Sequence, residues 1–287
     1  MKFGLCCNLD LAPVAADAGF DYIEMTVPGL LMPLADDAAF EAMLANLRAV
    51  KLPCLVVNCF VPGDIKITGP AADPARLQQY VRTACDRAQR AGVKVIVFGS
   101  GGARNIPDGI DRTVAWKQLL AFCSMTGPIA QARGVTIAIE PLNRAECNVL
   151  NSVTEGAKLA REVNHPAIRL LVDCFHWGRE NESPQAIVDA GDLLVHTHLA
   201  TVANRILPGE EEQDFATFFT ALKKAKYDGG VSIEAQVENP GNLKKALEII
   251  KQVELQARED KRDLDAIRAA KDEPTKPWGQ VKKDLRR

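Results

Sequence analysis

Three acidic residues and one histidine stand at the ends of four short apolar runs. Glu140 closes the run VTIAIE, Asp173 closes RLLVD, His198 closes LLVHTH and Glu234 closes VSIE. If the fold brings them together, the unpaired carboxylates would repel one another and would be costly to bury, whereas a divalent cation removes that cost. Oxygen ligands with a single nitrogen suit Mn²⁺, Mg²⁺ or Co²⁺ better than a thiolate-rich zinc site does. The alternative is that each residue is a separately hydrogen-bonded polar group.

The apolar runs recur along the chain, and each is followed by a longer stretch of helical periodicity. This alternation predicts repeated βα units on a parallel sheet. Eight runs are present, at residues 3–7, 22–24, 54–58, 93–98, 135–140, 168–173, 193–198 and 231–234. Eight such units predict an α/β fold, a single (β/α)₈ TIM barrel, in which working residues converge from the C-terminal ends of the strands. The predicted fold therefore places the four candidate ligands at one mouth.

An open, doubly wound sheet is the competing architecture, because it also alternates strands and helices. It typically has fewer strands and a glycine-rich first turn. The glycines here, at residues 99–102, follow the fourth run, and the third glycine of a dinucleotide fingerprint would fall on Arg104. We therefore favour the barrel and predict that this segment is a loop in which the backbone closely approaches another group.

Cap and turn residues mark where the predicted helices begin and end. Starts are indicated by Asp73, by Asp111, and by Ser152 with Glu155 three residues later as a capping box. Glycines at positions 19, 92, 134 and 229 indicate turns into the next strand. These turns are expected at the bottom of the barrel, opposite the candidate ligands.

Three further polar residues lie just past the candidate ligands. Glu146 lies on the loop after the fifth run, His176 follows the sixth run by three residues, and Arg205 lies in the loop after the seventh. All three could face a substrate at the barrel mouth. The alternatives are that His176 is a core histidine packed over Trp177, and that Arg205 forms a salt bridge with an acid among residues 210–212.

Three other titratable residues carry weaker expectations. His196 shares a strand face with His198 and is expected one layer below it. Glu24 closes the second run and is a candidate lining residue of the pocket. His165, before Pro166 in a bottom turn, is expected to be structural.

The bulk composition is that of an ordinary globular protein that can bury a sizeable core. A net charge of −2 with interspersed signs predicts no nucleic-acid partner. With no signal peptide and no membrane-spanning run evident, we expect no membrane association, a cytoplasmic location and reduced thiols at the eight cysteines. We expect one domain over residues 1–287, of which about 255–287 form a charged helix and a tail that Trp278 could anchor.

Four motifs together resemble those of a known family. EPLNRAECNVLN, DCFHW, HTH followed by NRILPG, and YDGGVSIE are similar to motifs of the xylose isomerase-like TIM barrels, a superfamily of sugar phosphate isomerases and epimerases, and most of all to those of D-tagatose and D-psicose (allulose) 3-epimerases. The resemblance spans residues 1–251. It implies that Glu140, Asp173, His198 and Glu234 hold one divalent metal ion, usually Mn²⁺, that Glu146, His176 and Arg205 bind a small sugar, and that the chain forms a homo-oligomer, a dimer or a tetramer.

The resemblance also implies a reaction. The metal would hold the carbonyl and adjacent hydroxyl oxygens of a ketose and stabilise an enediolate as a Lewis acid. Glu140 and Glu234, on opposite sides of the sugar, would act as catalytic acid and base and invert C3. The alternative is a metal-dependent lyase or dehydratase acting on a keto-sugar, keto-glycoside or inosose, because the same residues would serve it. The loops after the fourth and seventh runs differ from those of the characterised epimerases, so the sequence does not identify the natural sugar.

DNA repair of the endonuclease IV type uses the same kind of barrel. A site of the endonuclease IV type would need several zinc ions, many more histidines and a basic groove. This chain has four histidines, one of them in a predicted bottom turn, and a net charge of −2. We therefore exclude this function.

Overall fold

The computed structural model describes residues 1–272, with side chains described as far as residue 259. Its strands are β1 (Lys2–Cys6), β2 (Tyr22–Thr26), β3 (Cys54–Asn58), β4 (Val95–Phe98), β5 (Thr136–Ile139), β6 (Ile168–Asp173), β7 (Leu194–Leu199) and β8 (Gly230–Ile233). They form a closed parallel barrel in chain order, with β1 paired to β8. The structure confirms the predicted (β/α)₈ barrel and its eight strand runs.

Helices occupy the connections between the strands. They are α1 (Ala12–Ala18), α2 (Asp37–Ala49), α3 (Pro74–Ala91), α4 (Gly101–Arg104), α5 (Arg112–Gln131), α6 (Val153–Val163), α7 (Cys174–Arg179), α8 (Pro184–Asp189), α9 (Ala216–Lys224) and α10 (Leu243–Asp272). A π-helical turn at Val27–Leu31 and 3₁₀ turns at Gly191–Leu193 and Pro240–Asn242 complete the order. The predicted charged helix is thus the second half of α10, whereas the expected tail and Trp278 lie outside the described residues.

The cap residues bound the helices as the sequence predicts. The carboxylates of Asp73 and Asp111 accept backbone N–H groups in the first turns of α3 and α5. Ser152 Oγ accepts the N–H of Glu155 at 3.0 Å and begins α6. Gly92 ends α3 in the left-handed conformation, with φ +81°. These local signals fix where each connection enters and leaves the barrel wall.

The strand ends place the candidate ligands. β5 and β8 end one residue before Glu140 and Glu234, while Asp173 is the last residue of β6 and pairs in register with His198 of β7. All four therefore lie at the C-terminal mouth. Glu24 does not end its strand as expected, because β2 continues to Thr26. It lies deeper in the barrel than the four candidate ligands.

A small apolar cluster closes the barrel interior below the mouth. It consists of Tyr22, Val56, Val97, Ala138 and Leu171, separate from the large cluster that includes the helices. Tyr22 fits inside because its neighbour on β1 is a glycine: a Cβ at position 4 would lie 2.2 Å from the tyrosine ring. Because this layer closes the interior from below, a ligand approaches the polar groups above it from the mouth.

Two expectations about the whole chain can be compared with the described residues. None of their helices combines the length and apolar character that crossing a bilayer requires. All eight cysteines are free thiols, as expected.

Candidate active site

The three carboxylates and the imidazole that end four strands converge at the mouth. Glu140, Asp173, His198 and Glu234 each offer a ligand atom, and these atoms all lie within 4.8 Å of one another. His198 Nδ1 lies 3.1 Å from Glu140 Oε1 and 3.2 Å from Glu234 Oε2. The structure therefore brings together all four residues that the sequence singled out.

Asp173 supplies the most direct sign that this cluster can hold a cation. Its Oδ1 accepts the backbone N–H of Phe175 at 2.8 Å and caps α7. Its Oδ2 is buried and makes no hydrogen bond with any described residue. Buried carboxylate oxygens normally accept a hydrogen bond, whereas the nitrogens of His176 and Arg205 that face this one lie 3.5 Å away. A carboxylate oxygen without a hydrogen bond, beside two other carboxylates, suits a divalent ion. The donor set, mostly oxygen with one nitrogen, fits Mn²⁺, Mg²⁺ or Co²⁺.

The other side of the His198 ring is held from below. Its Nε2 lies 2.8 Å from Glu24 Oε1, and His196 Nε2 lies 2.9 Å from Glu24 Oε2. Ser232 Oγ contacts His196 Nε2 at 3.2 Å and the hydroxyl of Tyr22 at 3.0 Å. Glu24 is completely buried, so it lies beneath the pocket instead of lining it. His196 lies below His198, as its shared strand face predicts.

His176 faces the cavity and not only the core. The backbone N–H of Asn143 donates to His176 Nδ1 at 3.2 Å, and Asn143 Nδ2 lies 2.8 Å from the same nitrogen. With Nδ1 accepting, the proton is on Nε2, which lies 3.5 Å from Asp173 Oδ2. Asn143 Nδ2 also donates to Glu146 Oε1 at 3.0 Å. The side-chain amide of Asn143 thus holds both His176 and Glu146, two of the predicted substrate-binding residues.

Arg205 reaches into the site from the loop that follows β7. Its Nη2 donates to Glu234 Oε2 at 2.5 Å and lies 3.5 Å from Asp173 Oδ2, and its Nη1 donates to Glu146 Oε1 at 3.4 Å. The guanidinium stacks on Phe175, 4.6 Å from the ring centre. The alternative salt bridge with residues 210–212 is therefore wrong.

The glycine-rich segment after β4 is shaped around Glu140. A Cβ on Gly99 would lie 2.3 Å from Glu140 Oε2, which explains a glycine at this position. Arg104, completely buried, donates to the backbone carbonyls of Phe98 and Glu140 at 2.9 and 2.8 Å. The predicted close approach is thus confirmed, and its partner is a candidate metal ligand. The segment is not wholly a loop as predicted, because Gly101–Arg104 form the short helix α4.

A cavity of about 560 Å³ opens above the cluster. Glu140, Glu146, His176, Arg205 and Glu234 contribute to its wall. The segments at 58–63 and 99–102 form much of the remainder, largely with glycine, proline and backbone. The volume suits a small polar ligand with room beside it.

The electrostatics of the cluster show a shortage of positive charge. Burial and the charges of Glu234 and Glu140 raise the pKa of Asp173, with His176 and Arg205 opposing them. Burial alone would lower the pKa of His198, but the charges of Glu24 and Glu234 raise it well above its usual range. Burial would raise the pKa of Glu234, but His198 and Arg205 lower it to about 2. The negative charges of the carboxylates are balanced by Arg205 and by protons on His198 and Asp173, and a bound cation would balance them as well.

Sequence reasoning missed three residues of this site. Asn58 ends β3 and donates to Glu234 Oε1 at 3.1 Å, so the strand-end rule applied to amides would have found it. Asn143 lies inside the EPLNRAE motif, and only its contacts reveal its role. Arg104 gives no signal, because a charged residue after glycines predicts exposure. His165 is structural as expected, its Nδ1 accepting the N–H of Ala167 at 3.2 Å.

A (β/α)₈ barrel with titratable side chains converging at its C-terminal mouth has the architecture of an enzyme. The chain matches the family model described as "Xylose isomerase-like TIM barrel" over residues 12–253, and it belongs to that family. The resemblance stated from the motifs is confirmed. Its relatives are epimerases, and the protein is an enzyme of the isomerase class.

The sequence is similar to an L-ribulose 3-epimerase from Methylomonas sp. (strain DH-1), with 31% identity over 77% of this chain and 76% of the relative. It is 32% identical to a D-psicose 3-epimerase from Agrobacterium fabrum (strain C58 / ATCC 33970) over 79% of each protein. The structure resembles that of a D-allulose 3-epimerase from Methylomonas sp. in complex with D-allulose, with a TM-score of 0.74 and 25% identity over 88% of this chain and 96% of the other.

Proposed function

We propose that the protein is a divalent-metal-dependent ketose 3-epimerase. The observation that carries the proposal is that Glu140 and Glu234 approach the same nitrogen, Nδ1 of His198, at 3.1 and 3.2 Å. They follow β5 and β8, three strands apart in a ring of eight, so they approach the site from different sides. The two relatives named 3-epimerases support this reaction class.

Glu140, Asp173, His198 and Glu234 would hold the metal ion, for which Mn²⁺ is the first choice and Mg²⁺ or Co²⁺ also suit the donors. The bound metal would act as a Lewis acid that stabilises negative charge on the oxygens of the sugar. Substrate binding and proton transfer are carried out by the side chains around the metal site.

The substrate is held by donors and acceptors of fixed orientation. His176 presents an Nε2–H, because Asn143 occupies its Nδ1. Arg205 presents its guanidinium from the Phe175 ring, and Glu146 offers a carboxylate beside it. Together they orient the carbonyl end of a ketose, so that C3 lies between the two glutamates.

Glu140 and Glu234 move the proton. One carboxylate removes the C3 proton from one face of the sugar, and an enediolate of the substrate forms. The other glutamate carries a proton at the start of the cycle and donates it to the opposite face, which inverts C3, and the two carboxyl groups then exchange protons with solvent. His176 and Arg205 hold the negative charge on the sugar oxygens during the exchange.

The test is incubation with D-fructose and with D-tagatose in deuterated water and Mn²⁺, followed by NMR of both sugars. We expect deuterium at C3 and formation of the C3 epimer. Glu140→Gln and Glu234→Gln should each reduce turnover by about 10²–10⁴-fold, the usual contribution of a general acid or base. Glu238→Gln, an exposed glutamate four residues past Glu234, is the matched control and should retain activity.

The lyase or dehydratase alternative predicts a different outcome of the same experiment. A keto-sugar carrying a leaving group next to the enediolate would lose that group, and a new double bond would appear in the product. Absence of C3 exchange with every free ketose, together with elimination from a substituted keto-sugar, would overturn the epimerase proposal in favour of the lyase.

A further inference from the structure

The carboxylate of Glu24 lies directly behind the candidate metal ligand His198. Each of its oxygens is occupied by one imidazole: Oε1 lies 2.8 Å from His198 Nε2, and Oε2 lies 2.9 Å from His196 Nε2. Glu24 and both histidines are at most 1% exposed. None of the roles described above uses Glu24.

The protons on His198 can be assigned from its surroundings. Its Nδ1 faces two carboxylates of the cluster, and a nitrogen that binds a metal must present a lone pair there. The ring proton must then be on Nε2, and the group placed to accept it is Glu24 Oε1. An anionic acceptor at this position fixes the tautomer, orients the ring and increases the electron density at Nδ1.

Glu24 is itself held rigidly. It lies on β2 in register with Cys6 of β1, inside the barrel. His196 Nε2 donates to its second oxygen at 2.9 Å. A carboxylate held by its strand and by one histidine can set the position of a second histidine.

We infer that Glu24 is a positioning residue that sets the tautomer and metal affinity of His198 without touching the substrate. The inference rests on the proposed metal-dependent function, because it assumes that His198 Nδ1 is a ligand. It assigns the Glu24–His196–His198 cluster to a support role and not to a second metal site, although the three residues together also offer closely spaced ligand atoms.

The variant that tests this is Glu24→Gln, which keeps the shape and removes the charge. If the amide oxygen faces His198, the ring loses its anionic partner. If the amide nitrogen faces it, Nε2 must accept and the proton moves to Nδ1, where it blocks the metal. In either orientation we expect Mn²⁺ affinity to fall by about 10–100-fold. The affinity is measured by titration of free Mn²⁺ with electron paramagnetic resonance, independently of turnover.

Ser232→Ala is the matched control. It removes a contact of His196 in the same buried layer but leaves Glu24 and His198 intact, so Mn²⁺ affinity should stay within about threefold of the wild type. Metal analysis of the wild type should give one ion per chain. Two ions per chain would place one between Glu24 and the histidines and would overturn the assignment.

A second measurement needs no variant. In Mg²⁺-loaded wild-type protein labelled with ¹⁵N-histidine, the imidazole spectrum of His198 should show the proton on Nε2. Wild-type Mn²⁺ affinity in Glu24→Gln overturns the role of Glu24 and leaves the proposed function standing. A proton on Nδ1 of the metal-loaded protein overturns the role of Glu24 together with the assignment of His198 as a ligand. A wild type that binds none of Mn²⁺, Mg²⁺ and Co²⁺ overturns both together.

Discussion

A divalent ion bound at the candidate site is expected to contribute a measurable part of the stability of the protein. Glu140, Asp173 and Glu234 place carboxylate oxygens within 4.8 Å of one another. Two unit charges at that separation repel by about 3.5 kcal/mol at an effective dielectric constant near 20, so three pairs amount to roughly 10 kcal/mol. Arg205 and a protonated His198 offset part of this energy, and a divalent ion replaces the repulsion by attraction.

The size of the effect follows from binding linkage. An ion present at about 100 times its dissociation constant stabilises the fold by about 2.7 kcal/mol. In a domain of this size each kcal/mol shifts the melting temperature by about 2–4 °C. We therefore expect Mn²⁺ to raise the melting temperature of the chelated protein by roughly 5–10 °C, as measured by calorimetry.

Asp173→Asn and Glu238→Gln form a matched pair for this experiment. The first removes a buried ligand, so the gain from Mn²⁺ should largely disappear, while the metal-free variant should melt higher than metal-free wild type because one repelling charge is gone. The second, an exposed change, should behave as wild type. The reasoning would be refuted if Mn²⁺, Mg²⁺ and Co²⁺ all left the melting temperature of the wild type unchanged. It would also be refuted if Mn²⁺ raised the melting temperature of Asp173→Asn as much as that of the wild type.

Three other perturbations test separate contacts. Arg205→Lys keeps the charge but loses the guanidinium fork, so kcat/KM should fall by roughly 10–100-fold with Mn²⁺ affinity retained, and unchanged steady-state kinetics would contradict its role. Gly99→Ala would place a Cβ 2.3 Å from Glu140 Oε2 and should weaken Mn²⁺ binding by about tenfold or more, whereas Gly63→Ala, with its nearest contact at 3.5 Å, should not. Burial would lower the pKa of His198, but Glu24 and Glu234 raise it well above its usual range. Its protonation therefore stabilises the metal-free fold below about pH 6.5, and this stabilisation is lost as the pH rises through the raised pKa. The melting temperature of chelated protein should fall as the pH is raised above about 6.5, and a rise would contradict the assignment.

The barrel and the convergence of the four candidate ligands could be predicted because both depend on short-range signals. An apolar run ends where the strand leaves the barrel wall, and the first polar residue after it, such as Glu140 or Glu234, marks the mouth. Closure of eight parallel strands then brings these ends together without any further information. The same rule identifies Asp173 and His198, which lie at the ends of β6 and β7 and pair in register.

The support around the cluster could not be predicted in the same way. Glu24 contacts His198, 174 positions away, Asn143 contacts His176, 33 positions away, and Arg104 donates to the backbone carbonyl of Glu140, 36 positions away. No local pattern encodes these contacts. The sequence places Glu24 too close to the pocket, because the apolar run ends at residue 24 whereas β2 continues to Thr26. Which strand turns a carboxylate toward a given histidine depends on barrel register, and register is a property of the closed fold.

The two glutamates of the proposed mechanism are not equivalent. Glu234 accepts from Asn58 and Arg205 as well as facing His198, whereas in the described part of the chain the side-chain partner of the Glu140 carboxylate is His198. A carboxylate that accepts a guanidinium and an amide is stabilised as the anion and is a weaker base. Proton removal from the sugar by Glu234 should therefore be the harder of the two directions of the reaction. The same asymmetry means that the two epimers exchange their C3 protons at different rates, so the direction in which exchange is faster identifies the face of the sugar that Glu140 contacts.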